Sequence, residues 1–188
     1  MKKITRATVN KYYCEKSNTQ ISRNETNAEH VYSCLKLADY FLTQEEEFRD
    51  LDRLKVYELL MYHDDIEIQV GDMTLSNRQG RLEKEQREIE SIPILMKKYP
   101  FQLAQKFEQL DKEFRYFKSK ESQFAHAIDK LDPTIQSLKY KEIFGNKTGF
   151  TKENMILWQQ SAFEFSPTLM RYYYQLLDYM EEGEHFED

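Results

Sequence analysis

Apolar residues spaced three and four apart are the feature that most restricts how this chain can fold. Val31, Leu35, Ala38 and Leu42 recur at that spacing, which predicts an amphipathic helix from about Ala28 to Thr43. Leu51, Leu54, Leu59, Leu60 and Ile66 mark a second helix over about Asp50 to Ile68. Glycine (5) and proline (4) are scarce in the 188 residues. Sheet-rich folds need turn residues often, so helices joined by a few loops are the expected architecture, an all-α bundle.

Further helices are expected over Phe101 to Lys118 and Glu121 to Phe144, and a charged one from Arg81 to Glu90 that Pro93 kinks or ends. That charged segment reads as a solvated face or as a flap near a site. Thr151 is a good N-cap, and Ser166-Pro167 supplies a cap with proline at the first helical position, where its missing N–H costs nothing. The run Tyr172-Tyr173-Tyr174 then packs the last helix on the body or forms a surface between two copies. The acidic stretch Glu181 to Asp188, with His185, reads as a frayed, solvated tail. Without an internal repeat or linker, one domain over 1–188 is expected, with C-terminal helices of about 151–182 packed on a core of about 23–132.

Charge excludes some partners. Lys+Arg 27 against Asp+Glu 33 gives a net charge of -6, which opposes long-range attraction to nucleic acid or anionic lipid. The sequence lacks the apolar run of ~18 residues that a membrane span needs. Basic residues at the start are followed by no apolar core of a secretory signal, so a cytoplasmic protein is expected. Cys14 and Cys34 occur without any CxxC or Cys/His zinc spacing and read as reduced packing thiols.

The chemistry concentrates in Tyr62-His63-Asp64-Asp65-Ile66-Glu67, which closes the apolar run Val56-Tyr57-Glu58-Leu59-Leu60-Met61. Burying His63 and Asp64 unpaired costs several kcal/mol, so they require partners. A divalent cation supplies one, since imidazole nitrogen and carboxylate oxygen suit Mn, Co, Fe or Zn. His30 opens the first amphipathic helix, and Asp129 holds a core-like position in Phe124-Ala125-His126-Ala127-Ile128-Asp129-Lys130. Glu67, one helical turn beyond His63, should share its face.

In order and spacing, Glu25-Thr26-Asn27-Ala28-Glu29-His30, then His63-Asp64-Asp65-Ile66-Glu67-Ile68-Gln69-Val70-Gly71-Asp72, then Asp129-Lys130 resemble the HD-domain metal-dependent phosphohydrolases. The likeness is greatest to the branch of YfbR-like 5'-deoxynucleotidases and spans about Arg23 to Asp132. It implies an all-helical HD-domain bundle acting as a homodimer. It further implies one divalent metal ion (Mn, Co, Fe, Zn or Mg) held by His30, His63, Asp64 and Asp129. Glu67 would orient or deprotonate the attacking water or protonate the leaving oxygen. Arg23 would hold the phosphate, and Asp72 a sugar hydroxyl or the surroundings of the metal. The family's substrate arginine stands farther upstream, in a tryptophan-containing context that this chain lacks between Tyr12 and Arg23. His126, one turn before Asp129, reads as a neighbour of the site or a surface residue.

The function so implied is hydrolysis of a small phosphate ester, the 5'-phosphate of a (deoxy)nucleoside monophosphate. A guanosine polyphosphate or cyclic dinucleotide hydrolase is the alternative enzyme. The former class tends to carry His-Asp-x-x-Glu-Asp where this chain has Ile68 after Glu67, and the latter needs more histidines. A metal- and nucleotide-binding module without turnover is the non-catalytic alternative.

Overall fold

The computed structural model describes residues 5–14, 19–71, 78–138 and 150–186, with residues up to 24 and 78–82 as backbone alone. It opens on strands that the helical reading did not anticipate, β1 (Thr5–Cys14) and β2 (Thr19–Thr26), paired antiparallel from Thr5 opposite Thr26 to Cys14 opposite Thr19. Threonine, valine and tyrosine favour the extended backbone in β1. The remainder is helical, as the periodicity predicts.

Helix α1 (Asn27–Gln44) begins where β2 ends. Thr26 is its N-cap, and a capping box forms: the Thr26 hydroxyl accepts from the Glu29 N–H, and the Glu29 carboxylate accepts from the Thr26 N–H at 2.9 Å. The buried positions His30, Cys34, Ala38, Phe41 and Leu42 follow one helical stripe. Helix α2 (Arg53–Tyr62) starts on Asp52, whose side chain caps Lys55 N–H, and buries Val56, Leu59 and Leu60. The single helix expected over Asp50 to Ile68 is interrupted. Residues 63–66 form turns, and a one-turn helix α3 (Glu67–Val70) follows, ended by Gly71 at φ 78°, a conformation glycine adopts without steric cost.

Helix α4 (Arg78–Met96) continues through Pro93 instead of stopping at it. Helix α5 (Phe101–Arg115) buries Ala104, Phe107 and Leu110. Helix α6 (Lys120–Ser137) starts on a Ser119–Ser122 capping box and packs on α1, α2 and α5. Its Phe124, Ala125, Ile128 and Leu131 are at most 2% exposed, and each large one contributes roughly 1.5–3 kcal/mol by leaving water. Helices α7 (Lys152–Gln159) and α8 (Pro167–Glu182) start at Thr151 and Ser166 as the sequence predicts. Tyr173 is fully buried, stacks on Phe163 with ring centres 4.3 Å apart and donates to the Met155 carbonyl at 2.7 Å. The tyrosine run therefore packs α8 on the body.

The tail is not frayed through Phe186. Glu184 takes φ 53°, His185 N–H returns to the Met180 carbonyl at 2.9 Å and Glu184 N–H to Glu181 at 2.9 Å, a Schellman closure of α8. His185 is buried, and Phe186 meets Phe150 with ring centres 5.6 Å apart. Among the described residues, no helix is long and apolar enough to cross a membrane.

Candidate metal centre

Three helices bring the expected ligands together. His30 sits in the first turn of α1, set there by the capping box. His63 terminates α2, Asp64 follows it, and Asp129 projects from α6. Asp64 and Asp65 part company: Asp64 faces the two histidines, while Asp65 accepts from the Tyr99 hydroxyl at 2.5 Å. Pro133 lies four residues after Asp129 and has no N–H, so the Asp129 carbonyl loses its usual helical donor beside the site.

The His63 ring fixes its own tautomer. Its Nδ1–H donates to the Leu60 carbonyl at 2.8 Å, so Nε2 carries the lone pair. That lone pair is buried, without a hydrogen-bond partner among the described residues, and stands 3.3 Å from both Asp64 Oδ1 and Asp129 Oδ1. Three electron-rich atoms facing one another in a low-dielectric interior demand a positive charge between them. The spacing suits one. Donors at about 2.0–2.2 Å from a common ion stand about 2.8–3.6 Å apart when adjacent, for angles at the ion from a right angle to the tetrahedral value. His30 Nε2 is 3.1 Å from Asp129 Oδ1 and 3.9 Å from Asp64 Oδ2. Nitrogens of His30 and His63 and an oxygen of Asp129 lie within 4.8 Å of one another, all three residues buried.

Electrostatics agree with the geometry. Burial works against the His30 charge, but Asp129 and Asp132 hold its pKa well above the ordinary imidazole range. Burial also works against ionising Asp129, yet Lys130, 2.7 Å away, and His30 keep that carboxyl well below its ordinary range. Ionised carboxylate at the ligand position is what a cation requires.

The structure adds residues that motif reading missed. Asp132 accepts from His30 Nδ1 at 3.0 Å, from the Ser33 hydroxyl and from Gln136 Nε2 at 2.9 Å. Gln136 also reaches the buried Glu25 at 2.9 Å. Asp132 thus fixes the ring so that Nε2 faces the other ligands. Its position, three residues after Asp129 and hence on one face of α6, was the available signal. Cys34 Sγ lies 3.4 Å from His30 Nε2, and His30, Cys34 and Asp132 form a second compact group. That group is the poorer cation site: burial pushes the thiol up to about 11, and Asp132 is already engaged by three donors.

Glu67 opens α3, is buried, and receives Lys84 Nζ at 2.6 Å. The charged segment expected to be a solvated face or a flap therefore turns at least this lysine inward, 13% exposed. Arg23 lies in β2 opposite Asn10, with its side chain outside the described residues, and Asp72 lies outside them altogether. His126 sets its ring against Phe114 and Phe117, with centres 5.6 and 4.6 Å away. Cys14, in β1, is described as backbone alone.

Known proteins resemble this chain in sequence and in fold. The chain is 27% identical over 129 residues to 5'-deoxynucleotidase HDDC2 of Bos taurus, covering 69% of this chain and 60% of that protein. It is 25% identical over 124 residues to the Xenopus laevis protein of the same name, covering 66% and 59%. The match thus spans less than two thirds of either relative's length. A crystal structure from Magnetospirillum magnetotacticum MS-1, described as a predicted metal-dependent phosphohydrolase, superposes with a TM-score of 0.75 at 22% identity, covering 88% of this chain and 84% of that one. It shares the helical fold. The family model described as HD domain matches residues 14–167. With that match covering most of its length, the chain belongs to the HD domain family.

Proposed function

We propose that this protein is a metal-dependent phosphohydrolase that removes the 5'-phosphate of (deoxy)nucleoside monophosphates. The carrying observation is the His63 lone pair facing two carboxylates in a buried cluster, an arrangement that a single divalent cation completes. His30, His63, Asp64 and Asp129 would hold the ion. A bound divalent ion would acidify a water and withdraw charge from a phosphoryl oxygen.

The chain's own groups do the rest. Glu67, buried and three residues beyond Asp64, takes the proton of the attacking water or returns one to the leaving sugar oxygen. Lys130, beside Asp129, places positive charge next to the ligands. Arg23 and Asp72 are proposed for the phosphate and the sugar respectively, on their match to the family pattern. The nucleotide specificity rests on the likeness to the two 5'-deoxynucleotidases.

Phosphate release by the protein supplied in turn with Mn, Co, Fe, Zn and Mg, measured across deoxynucleoside and ribonucleoside monophosphates, tests the reading. Guanosine tetraphosphate and a cyclic dinucleotide belong in the same panel. Turnover of a monophosphate that disappears in His63→Ala is the expected result. Turnover of none of these compounds would overturn the assignment. Turnover confined to the last two would transfer it to the alternative hydrolases.

A further inference from the structure

Glu67 is not left to solvent. Lys84 Nζ meets its Oε1 at 2.6 Å, and the two side chains are 13% and 7% exposed. One turn on, Glu88 stands 3.5 Å from the same Nζ. Arg115 of α5 then reaches Glu88 at 2.9 Å and Asp111 at 2.9 Å. The result is a row of alternating charge, Glu67–Lys84–Glu88–Arg115–Asp111, that runs from α3 through α4 into α5 mostly out of water. No member is more than 15% exposed.

Such a row is unlike a surface ion pair. Exposed pairs contribute little because water screens them and both side chains must be ordered. A sequestered pair constrains geometry more strongly, because a partner left behind is a charge out of water. Lys84 also cannot swing away cheaply, since Glu88 holds it from the other side. Its position on α4 thereby fixes which way the Glu67 carboxylate faces.

We infer that Lys84 is a positioning residue for Glu67, anchored by Glu88, and that turnover depends on it without its touching substrate. The inference rests on the hydrolase reading given above. It makes the charged segment of α4 part of the machinery and assigns Lys84 a role that the sequence motif does not contain.

Steady-state kinetics of the full chain, loaded with the metal that supports wild-type turnover, provides the test. Lys84→Met should lower kcat about 10–100-fold, the size of effect seen when an orienting partner is removed, with KM and bound metal unchanged. Lys84→Arg should restore most of kcat. Glu67→Gln/Lys84→Met should be no slower than Glu67→Gln, because the lysine acts through the carboxylate. A folded Lys84→Met with wild-type kcat, or a double variant slowed by the product of both single effects, overturns the inference. Should Lys84→Met fail to fold, Glu88→Gln decides: a loss of several-fold in kcat at constant KM supports it, and an unchanged kcat overturns it. A wild type that hydrolyses nothing overturns the hydrolase reading and this inference together. A wild type that turns over while the variants match it overturns the inference alone.

Discussion

His63 Nε2 and Asp129 Oδ1 stand 3.3 Å apart in the protein interior, one on α2 and one on α6. With the neutral ring's one proton donated to Leu60, Nε2 has none to give the carboxylate and the two atoms meet lone pair to lone pair. A shared cation resolves that opposition. Asp129→Ala should therefore abolish stoichiometric metal, measured by inductively coupled plasma mass spectrometry. The helical signal in circular dichroism should persist, since the apolar core of α6 is intact. Metal retained at wild-type stoichiometry would show that Asp129 is no ligand.

His30 gives metal uptake a definite pH dependence. Its folded pKa is raised well above 6.5, so by itself the side chain carries a proton that a metal at Nε2 must displace. The sign follows directly: the proton's stabilising contribution is complete below the unfolded value of 6.5 and is lost as pH rises through the folded value. Chelator-treated protein should bind the cation more tightly at pH 8 than at pH 6 and release protons on binding. Calorimetry in two buffers of different ionisation enthalpy reads both effects. Affinity that falls as pH rises would contradict the assignment of His30.

Asp132 should matter to the metal without ligating it. Asp132→Asn keeps the shape but weakens the acceptor for His30 Nδ1–H. A loss of about 10–100-fold in metal affinity is expected, with metal still bound at saturation. A competitive chelator titration measures the difference, and affinity equal to wild type would reduce Asp132 to a packing residue.

The helical bundle was readable because α1 and α6 repeat apolar residues at a spacing that only a helix puts on one face, and the ligands stood out because charge interrupts those stripes at His30 and Asp129. The hairpin is harder to read: Thr5–Cys14 carries threonine, valine and tyrosine, but in Thr19–Thr26 only Thr19, Ile21 and Thr26 favour a strand. Its two runs lack the strict alternation that marks a half-buried strand. The break between α2 and α3 was hidden because Ile66 continues the apolar pattern. Partnerships such as Asp132 with His30 and Lys84 with Glu67 join residues distant in sequence, and no local periodicity encodes them. The folded tail was misread because acidic composition outweighed its single buried histidine.

The capping box at the start of α1 should affect both stability and the site. Thr26→Ala removes the acceptor for Glu29 N–H and should cost about 1 kcal/mol. For a protein of this size that lowers Tm by about 2–4 °C. His30 is one residue past the box, so metal affinity should weaken with it. A melt unchanged to within 1 °C would deny the cap its energetic role, so the threshold needs replicate scans at about that precision.

The close of α8 predicts opposite effects from two adjacent substitutions. Glu184 occupies the left-handed region at φ 53°, where a Cβ is disfavoured, whereas Gly183 has ordinary φ but a crowded surrounding. A Cβ on Gly183 would meet the His185 ring at 2.7 Å and the Tyr179 carbonyl at 3.2 Å. His185 is buried and so has little room to yield. Glu184→Gly should therefore raise stability by about 0.5–1 kcal/mol, relief of backbone strain exceeding the added freedom of the unfolded chain. Gly183→Ala should lower it by about 1–3 kcal/mol through overpacking. Urea denaturation of each, at unchanged m, reads the two shifts. If both variants matched the wild type, residues 183–186 would not be seated on Met180 as the backbone bonds indicate.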